Sequence, residues 1–325
     1  MKKDVKNIVV ISLGFLGDTL LVESMCRNLK CSIPKSNLIF IVNEVFGELP
    51  LGFESVDKIY SYDKKNKHKG LLGYWKFLKI FQEKDIDYAI ITHPHERSLI
   101  LAKVIGAKNI ISLPIKRSFL NFLINKRRKF NKEELRNTYK ADYNNGYLEG
   151  FCDYENMPIK YEREDINQNE ILDKFQLSGE YIVLSPTSKD LIKDWNYKNI
   201  KEFILNISVP VVLVGTDKAK NIANQLKNEN IDFMDLTLKT SITELAVIIK
   251  NSKYCVSVDT GTFHLAYAQG VKTVALFYDK QKVVEWAPSD IDCVQILLGE
   301  RVGEANDFVC IKEITAKDVL DKMVY

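Results

Sequence analysis

Val256-Ser257-Val258-Asp259-Thr260-Gly261-Thr262-Phe263-His264-Leu265-Ala266 is the stretch whose reading decides the fold. It follows a β-branched run, Tyr254 to Val258, that reads as a buried strand. It leads into an apolar periodic run, Phe263 to Ala268, that reads as a helix. Asp259, Thr260, Gly261 and Thr262 form the turn between them, and either threonine can cap the helix. Gly261 lets the backbone approach a ligand closely. The unpaired N–H groups of a first helical turn point at an anion, most often a phosphate. An ordinary Asp/Thr cap in an α/β protein also uses these residues, so the surroundings must decide.

A matching element opens the chain. Asn7 to Leu13 is an apolar run, followed by Gly14-Phe15-Leu16-Gly17-Asp18-Thr19-Leu20 and a helical pattern through Leu21, Met25 and Leu29. This is again strand, glycine turn, helix. It lacks the three glycines of the dinucleotide fingerprint and the lysine of the NTPase phosphate loop. Instead it sets the Asp18 carboxylate at the carboxyl end of the first strand, where open parallel sheets place their chemistry.

Strand and helix patterns alternate along most of the chain. Strands are expected at Leu38 to Val42, Ser55 to Tyr60, Tyr88 to Thr92 and Ile110 to Leu113. Leu71 to Lys84 reads as an amphipathic helix carrying Trp75, Leu78 and Phe81, and Ser98 to Ile105 as a helix. A second unit starts at Tyr181 and continues through Val209 to Val214, Phe233 to Leu236, the helix Ile242 to Lys250, and Thr273 to Phe277. Thr315 to Tyr325 reads as a last helix capped by Thr315. This rhythm is that of parallel sheets. Two α/β domains are expected, 1–165 and 166–325, facing across a cleft, and the last helix can pack back on the first domain. Residues 153–180 read as the connection.

The composition excludes several classes. A chain of 325 residues with 46% hydrophobic and 27% charged content is an ordinary globular one, and a net charge of +3 makes no case for nucleic acid. No run approaches a membrane span, and the N-terminal apolar run is too short for a signal peptide. The six cysteines, including Cys310, show neither a metal spacing nor a disulfide pattern, so a reducing cytoplasm is the expected setting. The segment 115–130 departs from the alternating rhythm. Lys116, Arg117, Lys126, Arg127, Arg128 and Lys129 are interleaved with Phe119, Leu120, Phe122 and Phe130. It reads as a solvated basic face or as a contact for an anionic membrane surface.

Taken together, these residues resemble glycosyltransferase family 9, the lipopolysaccharide heptosyltransferases. The resemblance runs through Ile8 to Leu21 with its Gly17-Asp18 turn, then Leu184-Ser185-Pro186-Thr187-Ser188 with Lys193-Asp194-Trp195. It continues through Thr240-Ser241-Ile242-Thr243-Glu244-Leu245-Ala246, Asp259 to Ala266, and Gly270-Val271. It implies a GT-B fold, two facing Rossmann-like domains with parallel sheets. It also implies an inverting transfer from a nucleotide-sugar such as ADP-heptose onto a lipopolysaccharide core acceptor, without a metal or other cofactor. The donor would be held by the C-terminal domain and the acceptor by the N-terminal domain.

An inverting transfer needs a base for the acceptor hydroxyl and charge or dipoles for the leaving diphosphate. Asp18 is the candidate base, with helix cap as its other reading; Lys193 is the candidate diphosphate clamp. Thr187, Ser188, Thr240, Asp259, Thr260, Gly261, Thr262 and His264 are the candidate donor contacts. Gly17, Arg97 and Arg117 are the candidate acceptor contacts. The family's Gly-Pro-Thr is here Tyr278-Asp279-Lys280, its His-Pro-Gly is Ser185-Pro186-Thr187, and Ala219, close to Asp217, occupies the place of a ribose-binding acid. These departures bear on donor identity. Another sugar donor, a GT-B-like nucleotide-sugar 2-epimerase and a non-catalytic glycan-binding protein are the alternative readings.

Overall fold

The computed structural model describes residues 7–128, 131–289, 291–299 and 314–323. Lys129, Phe130 and Cys310, named above, lie outside them. The chain divides into two compact units, 1–163 and 164–325.

The first unit carries strands β1 (Asn7–Ser12), β2 (Asn37–Asn43), β3 (Lys58–Tyr62), β4 (Tyr88–Ile91), β5 (Asn109–Ser112) and β6 (Lys126–Arg127). All pair in parallel, in the order β3-β2-β1-β4-β5-β6. The second unit repeats the pattern with β7 (Ile182–Ser185), β8 (Val211–Leu213), β9 (Met234–Asp235), β10 (Tyr254–Val258), β11 (Thr273–Phe277) and β12 (Val294–Leu298). Its order is β12-β11-β10-β7-β8-β9, again parallel throughout. Both sheets therefore reverse direction of growth at their first strand. One switch point lies between β1 and β4 and the other between β7 and β10. This is the doubly wound order of Rossmann-like domains, which place ligands beyond the carboxyl ends of the strands at the switch.

The hydrophobic runs set these sheets. Residues 8–11 of β1, all of β4 and all of β10 are buried on both faces, as expected of strands covered by helices on each side. One core packs Val9, Ile11, Ile39, Ile41, Ala89 and Ile91 against Leu99 and Phe77. The other packs Ile182, Leu184, Val256 and Leu276 against Phe203, Trp195 and Leu226.

Several expectations change at this level. Lys126-Arg127, read as part of a charged segment, is an edge strand paired with β5. Residues 168–174 of the expected connection form a helix packed on the helix Ile242–Lys250, within the second unit. The last helix, Ala316–Lys322, does start at a Thr315 cap. It seats Ala316, Val319 and Met323 in the core of the second unit. The helix expected over Leu71 to Lys84 is Gly70–Ile80, and it buries Gly73 and Phe77 while Trp75 and Leu78 face outward. Phe77 wins the inward place because it nests among Tyr62, His68 and Phe81.

Candidate functional site

At the switch point of the second sheet, β10 ends and Asp259 turns the chain into the helix Gly261–Ala268. Thr260 occupies the cap position, but no side chain caps this helix. Its hydroxyl pairs instead with Ser257 Oγ at 3.2 Å. Thr262 lies inside the first turn, so neither threonine takes the capping role that the sequence allowed. The helix N-terminus thus keeps its positive end available for an anion.

Lys193, from the loop after β7, reaches the same place. Its Nζ donates to Asp259 Oδ2 at 2.6 Å, with both side chains largely withdrawn from solvent. Burial holds the Asp259 carboxyl above the ordinary carboxylate range, and the attraction of Lys193 offsets only part of that. Lys193 Nζ also lies 6.0 Å from the Tyr278 ring centroid. Burial, with Asp259 next in weight, pushes the Tyr278 phenol up to about 12. His264 is buried and its Nδ1 lies 3.0 Å from Tyr267 Oη. Burial, reinforced by the Lys193 charge, brings its imidazole down to about 3, so it is neutral at pH 7.

The neighbouring residues take more specific roles. Thr187 is buried just beyond β7, with Gly215 beside it. Gly215 has φ 139° and a Cβ there would meet Ala219 Cβ at 2.7 Å, so only glycine fits. Ser188 is committed to its own loop: its hydroxyl donates to Asp190 O at 2.8 Å and its amide to Asp194 Oδ1 at 2.7 Å. Trp195, which marked the lysine in the sequence, is a core residue whose Nε1 donates to Ile314 O at 2.8 Å. Thr240 is not a cap. Ser241 caps the helix Ile242–Lys250 in a reciprocal pair with Glu244, and Thr240 precedes it, half-buried, beyond β9. The departure Tyr278-Asp279-Lys280 still opens a helix, with Asp279 Oδ1 accepting from Gln281 N at 2.7 Å.

The switch point of the first sheet holds Asp18. The helix expected near Leu20 begins earlier, as Leu16–Leu20, which makes Asp18 its third residue and places Gly17 within it. Asp18 Oδ2 accepts from Phe15 N at 3.1 Å. Gly14 is a glycine the turn requires: a Cβ on it would lie 2.8 Å from Asp18 Cβ. Immediately beyond β4, His93 and His95 stand with ring centroids 4.8 Å apart. Burial holds His93 below the usual imidazole value, and the Asp18 carboxylate acts against that. Lys64 Nζ donates to Leu13 O at 2.8 Å, and Arg97 Nη1 to Lys64 O at 3.1 Å. Asp18, His93, Lys64 and Arg97 are thereby gathered at one end of β1 and β4. His93, Lys64, Gly14 and, in the other unit, Tyr278 are additions to the candidates. For His93 the signal was its place directly after a strand that neighbours β1.

The remaining candidates disperse. Arg117 is exposed, with φ 61°. Arg128 is not on a solvated face at all. It is buried, its Nη2 bridges Glu134 Oε1 at 2.6 Å, its Nη1 donates to Tyr143 O, and its guanidinium lies 3.8 Å from the Tyr143 ring centroid. Among the described residues no group of three or more His, Cys, Asp or Glu residues is arranged to hold a metal. Among them also, no helix is long and apolar enough to cross a membrane.

Known proteins share this architecture. Residues 74–309 match the family profile described as glycosyltransferase family 9 (heptosyltransferase). A lipopolysaccharide core heptosyltransferase, OpsX of Haemophilus influenzae, is 23% identical over 283 residues, covering 84% of this chain and 79% of that protein. A family 9 glycosyltransferase from Veillonella parvula superposes with a TM-score of 0.84 at 21% identity, covering 99% and 97% of the two chains. The ADP-heptose lipopolysaccharide heptosyltransferase II of E. coli gives 0.79 at 18% identity, covering 98% and 97%.

Proposed function

The chain belongs to glycosyltransferase family 9, and from that premise we propose that it moves heptose from ADP-heptose onto a lipopolysaccharide or lipooligosaccharide core acceptor, with inversion. The observation that supports this reading is the convergence of Lys193, Asp259 and the first turn of the helix Gly261–Ala268, which no side chain caps, at the β7/β10 switch. That arrangement suits a diphosphate. The helix N-terminus supplies aligned N–H dipoles, and the Lys193 ammonium can transfer its attraction from Asp259 to the phosphates.

In the proposed reaction an acceptor hydroxyl attacks the anomeric carbon of the donor. The new C–O bond forms as the bond to the β-phosphate oxygen breaks, and ADP leaves with the electron pair. Asp18 takes the hydroxyl proton. Lys193 and the helix N-terminus stabilise the negative charge gathering on the departing diphosphate, a role strengthened by the low dielectric around Asp259. Thr187, Thr240 and His264 line the donor side, and Arg97 with Lys64 the acceptor side. His264, being neutral, serves the donor by packing and hydrogen bonding and not by charge.

The test is a panel of nucleotide-sugars assayed by nucleotide release, with and without a core acceptor and with and without a chelator. ADP release from ADP-heptose that requires acceptor and survives chelation is expected. Turnover of a different nucleotide-sugar in its place overturns the donor assignment, and acceptor-independent epimerisation overturns the reaction.

A further inference from the structure

The helix Gly70–Ile80 spends little of its apolar surface on the core. Leu71 is 87% exposed, Leu72 75% and Trp75 56%, and Leu78 is exposed beside them. Only Gly73 and Phe77 are buried. A surface helix in a folded domain shows a polar outer face, and one whose outer face is largely apolar calls for a covering. The short 3-10 helix Phe119–Leu123 repeats the pattern, with Phe119 79% and Phe122 71% exposed.

These two elements belong to one region. Tyr74 Oη of the first reaches Arg97 O at 3.5 Å, and Ser118 Oγ, capping the second, donates to Glu96 Oε1 at 2.6 Å. Both therefore fasten on consecutive residues at the start of the helix Glu96–Val104. Their charge is one-sided. Segments 69–80 and 115–128 contain no Asp or Glu. Lys69, Lys76, Lys79, Lys116 and Arg117 are all exposed. Lys79 Nζ sits 3.6 Å from the Trp75 ring centroid, at the edge of the apolar face.

We propose that this face, made by the helix Gly70–Ile80 and the Phe119–Leu123 turn, docks the protein on an anionic lipid surface. Leu71, Leu72, Trp75, Phe119 and Phe122 would enter the boundary between headgroups and acyl chains, and the lysines would meet lipid phosphates. An apolar face of Trp, Phe and Leu rimmed by Lys and Arg is the signature of interfacial binding. A second copy of the chain fits less well. A two-fold interface sets a patch against itself, which would bring its cations together, and neither segment carries an acid of its own to pair with them. The inference extends the reading of a lipid-anchored acceptor, but it moves the contact away from the segment 115–130 alone and onto a helix the sequence read only as amphipathic.

The full chain, with vesicles that contain no acceptor, provides the test. Wild type should co-sediment with phosphatidylcholine vesicles containing phosphatidylglycerol and not with phosphatidylcholine alone, and binding should weaken as salt rises. Leu71→Ser/Leu72→Ser/Trp75→Ser should lower vesicle affinity about tenfold or more, with nucleotide affinity unchanged. Brominated lipids should quench wild-type fluorescence, and Trp75→Phe should remove that quenching. Absence of vesicle binding by wild type overturns the inference. So does unchanged binding by the triple variant, or a dimer in sedimentation that the triple variant dissolves. Transfer to a delipidated core oligosaccharide, measured alongside, separates the two readings: its failure counts against the acceptor assignment and leaves the vesicle result standing.

Discussion

Asp18 accepts the Phe15 amide at 3.1 Å, so its carboxylate already has a structural task. Asp18→Asn keeps an acceptor oxygen for that amide and removes only the capacity to take a proton. Transfer should fall by roughly 10²–10⁴ while donor affinity stays within a few-fold, measured by turnover and calorimetry. Near-normal turnover would leave Asp18 as a helix cap alone. Lys193 poses the opposite difficulty, because its partner Asp259 is buried. Lys193→Ala leaves that carboxylate without its counter-charge, which costs about 3–5 kcal/mol when a buried pair is broken. Adding Asp259→Asn should restore most of the stability and none of the ADP affinity that Lys193 provides. Recovery of both in the double variant would make the pair purely structural.

The helix Gly261–Ala268 carries its own pH dependence. His264 titrates at about 3 in the folded unit, chiefly through burial, against an unfolded value of about 6.5. Above the unfolded value neither state binds the proton and stability is unaffected. As pH falls below it, the unfolded chain protonates and the folded chain does not, so stability is lost progressively toward pH 3, by up to about 1.4 kcal/mol per pH unit. Denaturant midpoints should therefore drop below pH 6.5, and His264→Gln should flatten that slope; an equal slope in the variant would assign it elsewhere. At the edge strand β6 the same logic of burial changes the meaning of a charge. Arg128 ties β6 to the helix Lys140–Asn145 through the Tyr143 carbonyl and ring. Arg128→Gln should cost about 1–3 kcal/mol, discounted because Glu134 is partly solvated. Arg127→Gln, on an exposed side chain, should cost little. Thermal melts of the two variants decide, and equal midpoints would return Arg128 to the surface.

Across the whole molecule, two units with separate cores make a single two-state description a poor one. Calorimetry should resolve two transitions. ADP at about 100 times its Kd should raise one of them by about 2.7 kcal/mol of stabilisation, since a ligand stabilises only the unit that binds it. That unit is expected to be 164–325. Limited proteolysis with ADP would identify it by the fragment protected, and protection of the first unit would move the donor site.

The sequence by itself determined the local grammar. β-branched runs ending in Gly, Asp or Thr gave parallel strands with turns at their carboxyl ends, and the spacing of Gly17-Asp18, Lys193 and Asp259 to His264 carried the family. These signals are local, so they survive without knowledge of what lies opposite. Partnership was decided only by tertiary structure. Lys193 reads as a solvated lysine or a clamp until Asp259, 66 positions away, is seen at 2.6 Å. Arg128 reads as surface until Tyr143 and Glu134 enclose it. His93 gains meaning only from a sheet order that sets β4 beside β1. Trp75 and Phe77 are both aromatic residues of one helix, and nothing in their spacing says which turns inward. That choice belongs to the aromatic cluster around Phe77, assembled from Tyr62, His68 and Phe81, which the chain brings together only on folding.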